Sequence, residues 1–367
     1  MSILRFSPSV FVIGDEYEVL LCLTSPALVS LSVGGETYYE DNSGALPSER
    51  TVARIRLPQA ALDAARRYEV VSRVSLNRKA YFSEFEDEVR EAFAFAPVPA
   101  EGDVNVYYIA DVHYRFALAE QTVSYFGDKL HLLIANGDLG EVETEENYLE
   151  VCEFLGNATG GRLPIVMARG NHDTRGHLAE RFTDYFPANG KKTYYAFHLA
   201  AFSGVVLDCG EDKPDNHKEY GGNYNGAAVY NGSNAFERFR RQETQFLRSL
   251  TLPEGRPHIA ISHICPSMTT KEAGSVFDIE RDVYTAWNAE LARIGIDVML
   301  TGHLHQTFVL EREDARALLP NPYPVIVGAQ PSKDNIIGTA ITLGKGGLTY
   351  AFTDSNHAVV EEGRITF

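Results

Sequence analysis

Five short segments of the chain end in side chains that bind metal ions, and each follows an apolar run with the character of a β-strand. Asp111-Val112-His113 follows VNVYYIA, Gly137-Asp138 follows HLLIAN, and Gly170-Asn171-His172-Asp173 follows LPIVMAR. His263 follows HIAIS, and Gly302-His303-Leu304-His305 follows DVMLT. Ligands at the carboxyl ends of several parallel strands converge on one crevice of an open α/β sheet. A pair of divalent metal ions is the natural occupant of such a set, and that points to an enzyme. In the D-x-H and H-x-H pairs, an extended backbone puts both side chains on one side, whereas a helix would separate them. The glycines at 137, 170 and 302 allow the tight, sometimes positive-φ turns that leave a strand end.

Singly, each residue has an ordinary structural reading. A lone histidine such as His263 is more often a core or surface residue, Asp138 fits a turn, and Asn171 fits a helix cap. Five of the eleven histidines nevertheless fall on these motif positions, and the joint pattern favours ligands. His177, His198, His217 and His258 have no motif support and read as structural or exposed.

The elements that must carry these ends divide the chain in two. Residues 1–98 hold short apolar runs separated by turn residues (VFVIG, YEVLLCL, LVSLSV, TYYE, VARIRL, YEVVSRVSL, REAFAFA), which predict a small antiparallel β-sandwich of fibronectin or immunoglobulin type. Leu62 followed by Tyr68 resembles a tyrosine corner. Pro97 to Gly102 reads as a linker into a second domain over 99–367. There, strands alternate with helical patterns (FALAEQTVSYFGD, EENYLEVCEFLGNAT, NAFERFRRQETQFLRSL), which predicts a mostly parallel sheet covered by helices. Later strand-like runs (AFSGVVLD, YPVIVGA, GTAITLG, LTYAFTD, HAVVEE) suggest a second sheet. The Gly-, Asn- and Tyr-rich segment from Cys209 to Asn234 has no periodicity, so it reads as a lid or specificity loop or as a solvated excursion. The acidic run Glu141 to Glu150 reads as a solvated helix face.

Composition narrows the function classes. With 44% hydrophobic and 23% charged residues among 367, the chain is an ordinary globular protein. No apolar stretch reaches the ~20 residues needed to cross a bilayer, and no signal peptide is evident. Four well-separated cysteines, none at a motif position, suggest thiols in a reducing, cytoplasmic compartment. A formal charge of −17 disfavours extended nucleic acid as substrate. Nothing in the sequence fixes an oligomeric state.

In this order, D-x-H, GD, GNHD, a lone His and GHxH resemble the calcineurin-like metallophosphoesterase superfamily over roughly residues 104 to 360. The resemblance implies a four-layer αββα sandwich with the site at the seam of two sheets. It implies one ion on Asp111, His113, Asp138 and His305, and another on Asp138, Asn171, His263 and His303, with Asp138 as the bridge. Mn, Fe, Zn, Co and Ni all suit these donors. The implied reaction is hydrolysis of small phosphodiesters, phosphomonoesters or both, by attack of a metal-bridging hydroxide. His172 is then the candidate general acid, with Asp173 orienting its ring or raising its pKa. Arg175 is a candidate contact to the substrate phosphate, or else a solvated side chain.

A β-domain before the catalytic domain also resembles purple acid phosphatases. Their iron-binding tyrosine, however, falls at Glu141 here, and their GNH ends in Glu where this chain has Asp173. Two other readings are a catalytically silent scaffold of the same fold and a nuclease. The first is disfavoured by the full set of ligand types, the second by the charge.

Overall fold

The strand Val104–Ile109 shows how the sequence sets the layers. In the computed structural model of the chain, Val104, Val106 and Tyr108 enter one apolar cluster while Tyr107 and Ile109 enter another. The two-residue period of a strand requires such a division. The structure describes residues 2–41, 49–79, 81–140, 142–213, 235–268 and 280–367. Strands Leu132–Asn136 and Pro164–Ala168 continue the sheet in parallel and split their side chains the same way. Helices Phe116–Val123 and Glu145–Thr159 cover the second cluster. The latter starts at a capping box, in which the Thr144 and Asn147 side chains each satisfy the other's backbone N–H.

A second parallel set runs through Ser203–Leu207, His258–Ser262, Val298–Thr301 and Val325–Pro331. Its Val206, Ile261, Leu300 and Ile326 join the first cluster, and its Val205, Ala260, Met299 and Val327 join a third. Helices Ala235–Ser249 and Arg281–Arg293 cover that third cluster, with Leu247, Tyr284 and Trp287 buried in it. The layers therefore run helix, strands, strands, helix. Ile336–Gly344 pairs with both Val104–Ile109 and the end of Val325–Pro331, linking the two strand sets. Helix Arg281–Arg293 is absent from the patterns named in the sequence. Its N-cap, Glu280, has a φ of 47° and no side-chain cap bond, so the usual start signal is missing.

The N-terminal strands form two groups. Ser9–Ile13, Glu16–Cys22 and Val52–Pro58 extend the large sheet, because Val10 and Phe11 pair in parallel with Pro164 and Ile165. Ala27–Val33, Glu36–Tyr39, Arg67–Arg78, Ser83–Phe85 and Val89–Ala94 form a separate antiparallel sheet. Val19, Leu21, Ile55, Leu31 and Val70 share one cluster between the groups. Hydrogen bonding thus crosses residue 98, and the regions 1–98 and 99–367 share a sheet.

The tyrosine-corner expectation needs correcting. Tyr68 donates its hydroxyl hydrogen to the Gly161 carbonyl at 2.9 Å rather than to nearby backbone, and Leu62 lies inside a short helix, Gln59–Ala65. A buried phenol takes the acceptor that packing brings to it, here the turn after helix Glu145–Thr159.

Phe11 is fully buried against the helices that cover the site-bearing strands. Phe11→Ala should lower the unfolding free energy by about 3–5 kcal/mol. Urea unfolding that moves by less than ~1 kcal/mol would show that the first strand is not part of this core.

Candidate metal centre

Three of the five ligand-bearing segments, those of Asp111, Asp138 and His303, leave their strands through left-handed backbone, whereas Asn171 has a φ of −73°. The φ values are 54° at Asp111, 45° at His113, 53° at Asp138, 65° at His303 and 51° at His305. The extended geometry expected for D-x-H and H-x-H is therefore wrong. Tight turns, not strand alternation, bring the paired side chains together. Residues other than glycine adopt this region at a cost of about 1–3 kcal/mol each, so surrounding structure must hold them there. Asp111 N donates to Gly137 O at 3.1 Å, His113 N to Asp138 O at 3.1 Å, and His303 N to Asp111 Oδ2 at 2.9 Å. Of the three motif glycines, Gly137 alone uses positive φ, at 77°. Gly302 and Gly170 instead allow close approach. A Cβ on Gly302 would stand 2.7 Å from Asp111 Oδ2, and one on Gly170 would overlap the Asp138 carboxylate.

The turns gather two groups of donors. Asp111, His113 and His305 form one, and Asp138, His263 and His303 form the other, with the ligand atoms of each within 4.8 Å of one another. His113 Nε2 and His305 Nε2 are 3.2 Å apart, and His305 Nε2 is 3.3 Å from Asp111 Oδ1. His263 Nε2 lies 3.1 Å from Asp138 Oδ2 and 3.7 Å from Asp111 Oδ1, so it touches both carboxylates. Its other nitrogen, Nδ1, donates to the Asn136 carbonyl at 2.7 Å, which leaves Nε2 to face the centre. Asn136 also reaches across the core, where its Nδ2 donates to Ser262 O at 3.1 Å.

Burial and charge oppose each other throughout. Burial alone would raise Asp138, but His263, His172 and His113 hold it well below the usual carboxylate range. Burial works against a charged His263, yet Asp138 and Asp111 push it up to about 10. Burial and the neighbouring His263 push His303 down to about 4. Burial likewise lowers His113, while contact with Asp111 raises His305. Burial and Asp138 push Asp173 up to about 7, although its Oδ2 accepts from Gly170 N at 2.8 Å and Asp138 N at 3.1 Å.

Three observations fit cations at this place. Asp111 Oδ1 is buried and has no hydrogen-bond partner among the described residues, although two imidazole nitrogens face it. Five of the seven ligand positions are held in strained backbone, which structure does not maintain without use. The Asn171 amide is the third. Its inward atom lies 3.0 Å from His303 Nδ1, 3.2 Å from His263 Nε2 and 3.3 Å from Asp138 Oδ2. With nitrogen inward these contacts are hydrogen bonds; with oxygen inward the amide joins the two ring nitrogens and the Asp138 carboxylate as a further donor to a cation.

His172 and Asp173 occupy different surroundings. His172 is part-exposed at the mouth; its N donates to Asp138 Oδ1 at 2.9 Å and its Nε2 is 3.9 Å from Asp138 Oδ2. Asp173 clamps two backbone turns, as its bonds to Gly170 and Asp138 show, rather than holding the His172 ring. Arg175 is half-buried and ion-paired: its Nε donates to Glu211 Oε2 at 2.7 Å and its Nη2 to Asp212 Oδ1 at 2.9 Å. Its Nη1 lies 3.5 Å from His172 Nε2. Glu211, Asp212 and Lys213 were not singled out in the sequence. They sit in an aperiodic stretch, and only their charges hinted at a role. Glu141 and residues 214–234, including His217 and most of the expected lid, lie outside the described residues.

A family model described as calcineurin-like phosphoesterase matches residues 104–307. Among solved structures, the fold is similar to a purple acid phosphatase from yellow lupin (Lupinus luteus) seeds, with a TM-score of 0.61. That likeness has 12% identity and covers 98% of this chain and 74% of the other. PhoD is similar at a TM-score of 0.55 and 11% identity, over 98% of this chain and 88% of that one. No curated protein matches the chain. At such identities the structural likeness shows the fold alone.

His263 gives a test by pH. Its pKa in the fold lies above its ordinary 6.5, so its contribution to stability is complete below about pH 6.5 and is lost as pH rises towards 10. In EDTA, the melting temperature should fall between pH 7 and pH 10. Excess manganese should counter that fall, because metal and proton compete for Nε2. A flat or rising profile in EDTA would remove the assignment of His263 to the two carboxylates.

Proposed function

This chain belongs to the calcineurin-like phosphoesterase family, and from that premise we propose that it hydrolyses small phosphodiesters, phosphomonoesters or both at a two-cation centre. The observation that carries the reading is the pair of donor groups, Asp111, His113 and His305 beside Asp138, His263 and His303. Asn171 would add its amide oxygen to the second group, and Asp138, between the groups, would bridge. Two divalent cations, when bound, would neutralise phosphoryl oxygens and lower the pKa of water.

The chain's own residues do the rest. Asp111, Asp138 and His263 are buried, so charges beside them act in a lower dielectric than bulk water, while His305 lies on the exposed side. Two carboxylates against two divalent ions leave the crevice cationic, which suits an anionic ester despite the overall charge of −17. His172 is within reach of the crevice and part-exposed, so its Nε2 can pass a proton to the departing oxygen. Four buried thiols support a reducing compartment as its location.

Metal-stripped protein, tested with mono- and bis-nitrophenyl phosphates and nucleotides as Mn, Fe, Zn, Co or Ni is returned, provides the decisive measurement. Activity should vanish on stripping and return with at least one metal; full activity in chelator, or none with any metal, would end the proposal. His172→Ala should cost on the order of 10²-fold in kcat for alkyl leaving groups and little for nitrophenolate. Equal losses for both would refute the proton-donor role.

A further inference from the structure

We infer that Asp212 is a positioning residue that holds His303 to the second cation, a role that rests on the two-cation reading above. His303 has two ring nitrogens with different surroundings. Nδ1 faces the centre, 3.0 Å from the Asn171 amide, while Nε2 faces Asp212 Oδ2 at 3.9 Å. The same division holds at His263, whose outer nitrogen is fixed by the Asn136 carbonyl and whose inner nitrogen faces Asp138 and Asp111. A ligating imidazole needs its outer N–H directed at an acceptor, which fixes the tautomer and strengthens the inner nitrogen as a donor. At 3.9 Å, beyond hydrogen-bond distance, Asp212 acts as a negative charge facing the N–H of the neutral ring.

Asp212 is itself firmly placed. It is buried, Oδ1 accepts from Lys213 Nζ at 2.6 Å and from Arg175 Nη2 at 2.9 Å, and its backbone N donates to Glu211 Oε1 at 2.8 Å. Two carboxylates and two cations balance in this cluster, so the Oδ2 side is presented to His303 without net charge accumulating. Arg175 then spans two parts of the site, since it holds Asp212 through Nη2 and lies beside His172 through Nη1. Its guanidinium is committed to orienting protein groups.

The test is calorimetric titration of metal-stripped protein with Mn²⁺, comparing wild type, Asp212→Asn and Glu211→Gln. Asp212→Asn keeps the shape but removes the charge facing His303. Glu211→Gln weakens the same ion-pair cluster without touching His303. The expected result is two Mn²⁺ equivalents for wild type, with one equivalent weakened about tenfold or more in Asp212→Asn and the other unchanged. Glu211→Gln should leave both within about twofold. The retained equivalent reports that the variant is folded. Unchanged binding by Asp212→Asn overturns the inference, as does loss of both equivalents or an equal loss in Glu211→Gln. A wild type that binds no Mn²⁺ would sink the two-cation reading itself, a result distinct from the others.

Discussion

Two carboxylates sealed from water, Asp111 and Asp138, are the constraint around which this molecule is arranged. Buried negative charge is costly unless paired, and the second carboxylate raises that cost for the first. Without metal, His263 answers the demand, standing against both carboxylates as a proton-bearing ring. A divalent ion answers it better, because it brings more charge to the same point and takes the place of the proton. Two carboxylates so placed set a demand that a cation or a protonated imidazole can meet.

Holding those groups together requires unfavourable backbone, and the fold carries that cost through hydrogen bonds between the turns. The Asp138 segment accepts from the Asp111 segment, Asp111 accepts from the His303 turn, and Asp173 joins the Gly170 and Asp138 turns with one carboxylate oxygen. Because each turn supports another, removing one affects several. Glycine at 170 and 302 follows from the same crowding, since no Cβ fits between the turns. The raised pKa of Asp173 is the local cost of burying a third carboxyl, and of placing it beside Asp138.

Much of this was legible from pattern. The site-bearing strands read directly as apolar runs, because burial on both faces makes them continuous. Helix Glu145–Thr159 read by its period, whereas Arg281–Arg293, entered through left-handed Glu280, did not. The tyrosine at 68 was visible but its partner was not, since Gly161 is brought near only by the packing of distant elements. The left-handed turns were hidden for a related reason. Asp and His tolerate either conformation, so composition there is silent about φ.

The order and chemical type of the donors are properties of the chain alone. Carboxylate, imidazole and amide at strand ends point to a metal centre, since ligand chemistry is local to each residue, while the reaction class came from the order of the motifs and its family resemblance. The distances at which the two groups of donors meet are a matter of tertiary structure. So are the faces of His263 and His303 that look inward, and the engagement of Arg175 by Glu211 and Asp212. Each of these depends on distances between segments far apart in sequence, and such distances exist only once the sheets have closed around a common core.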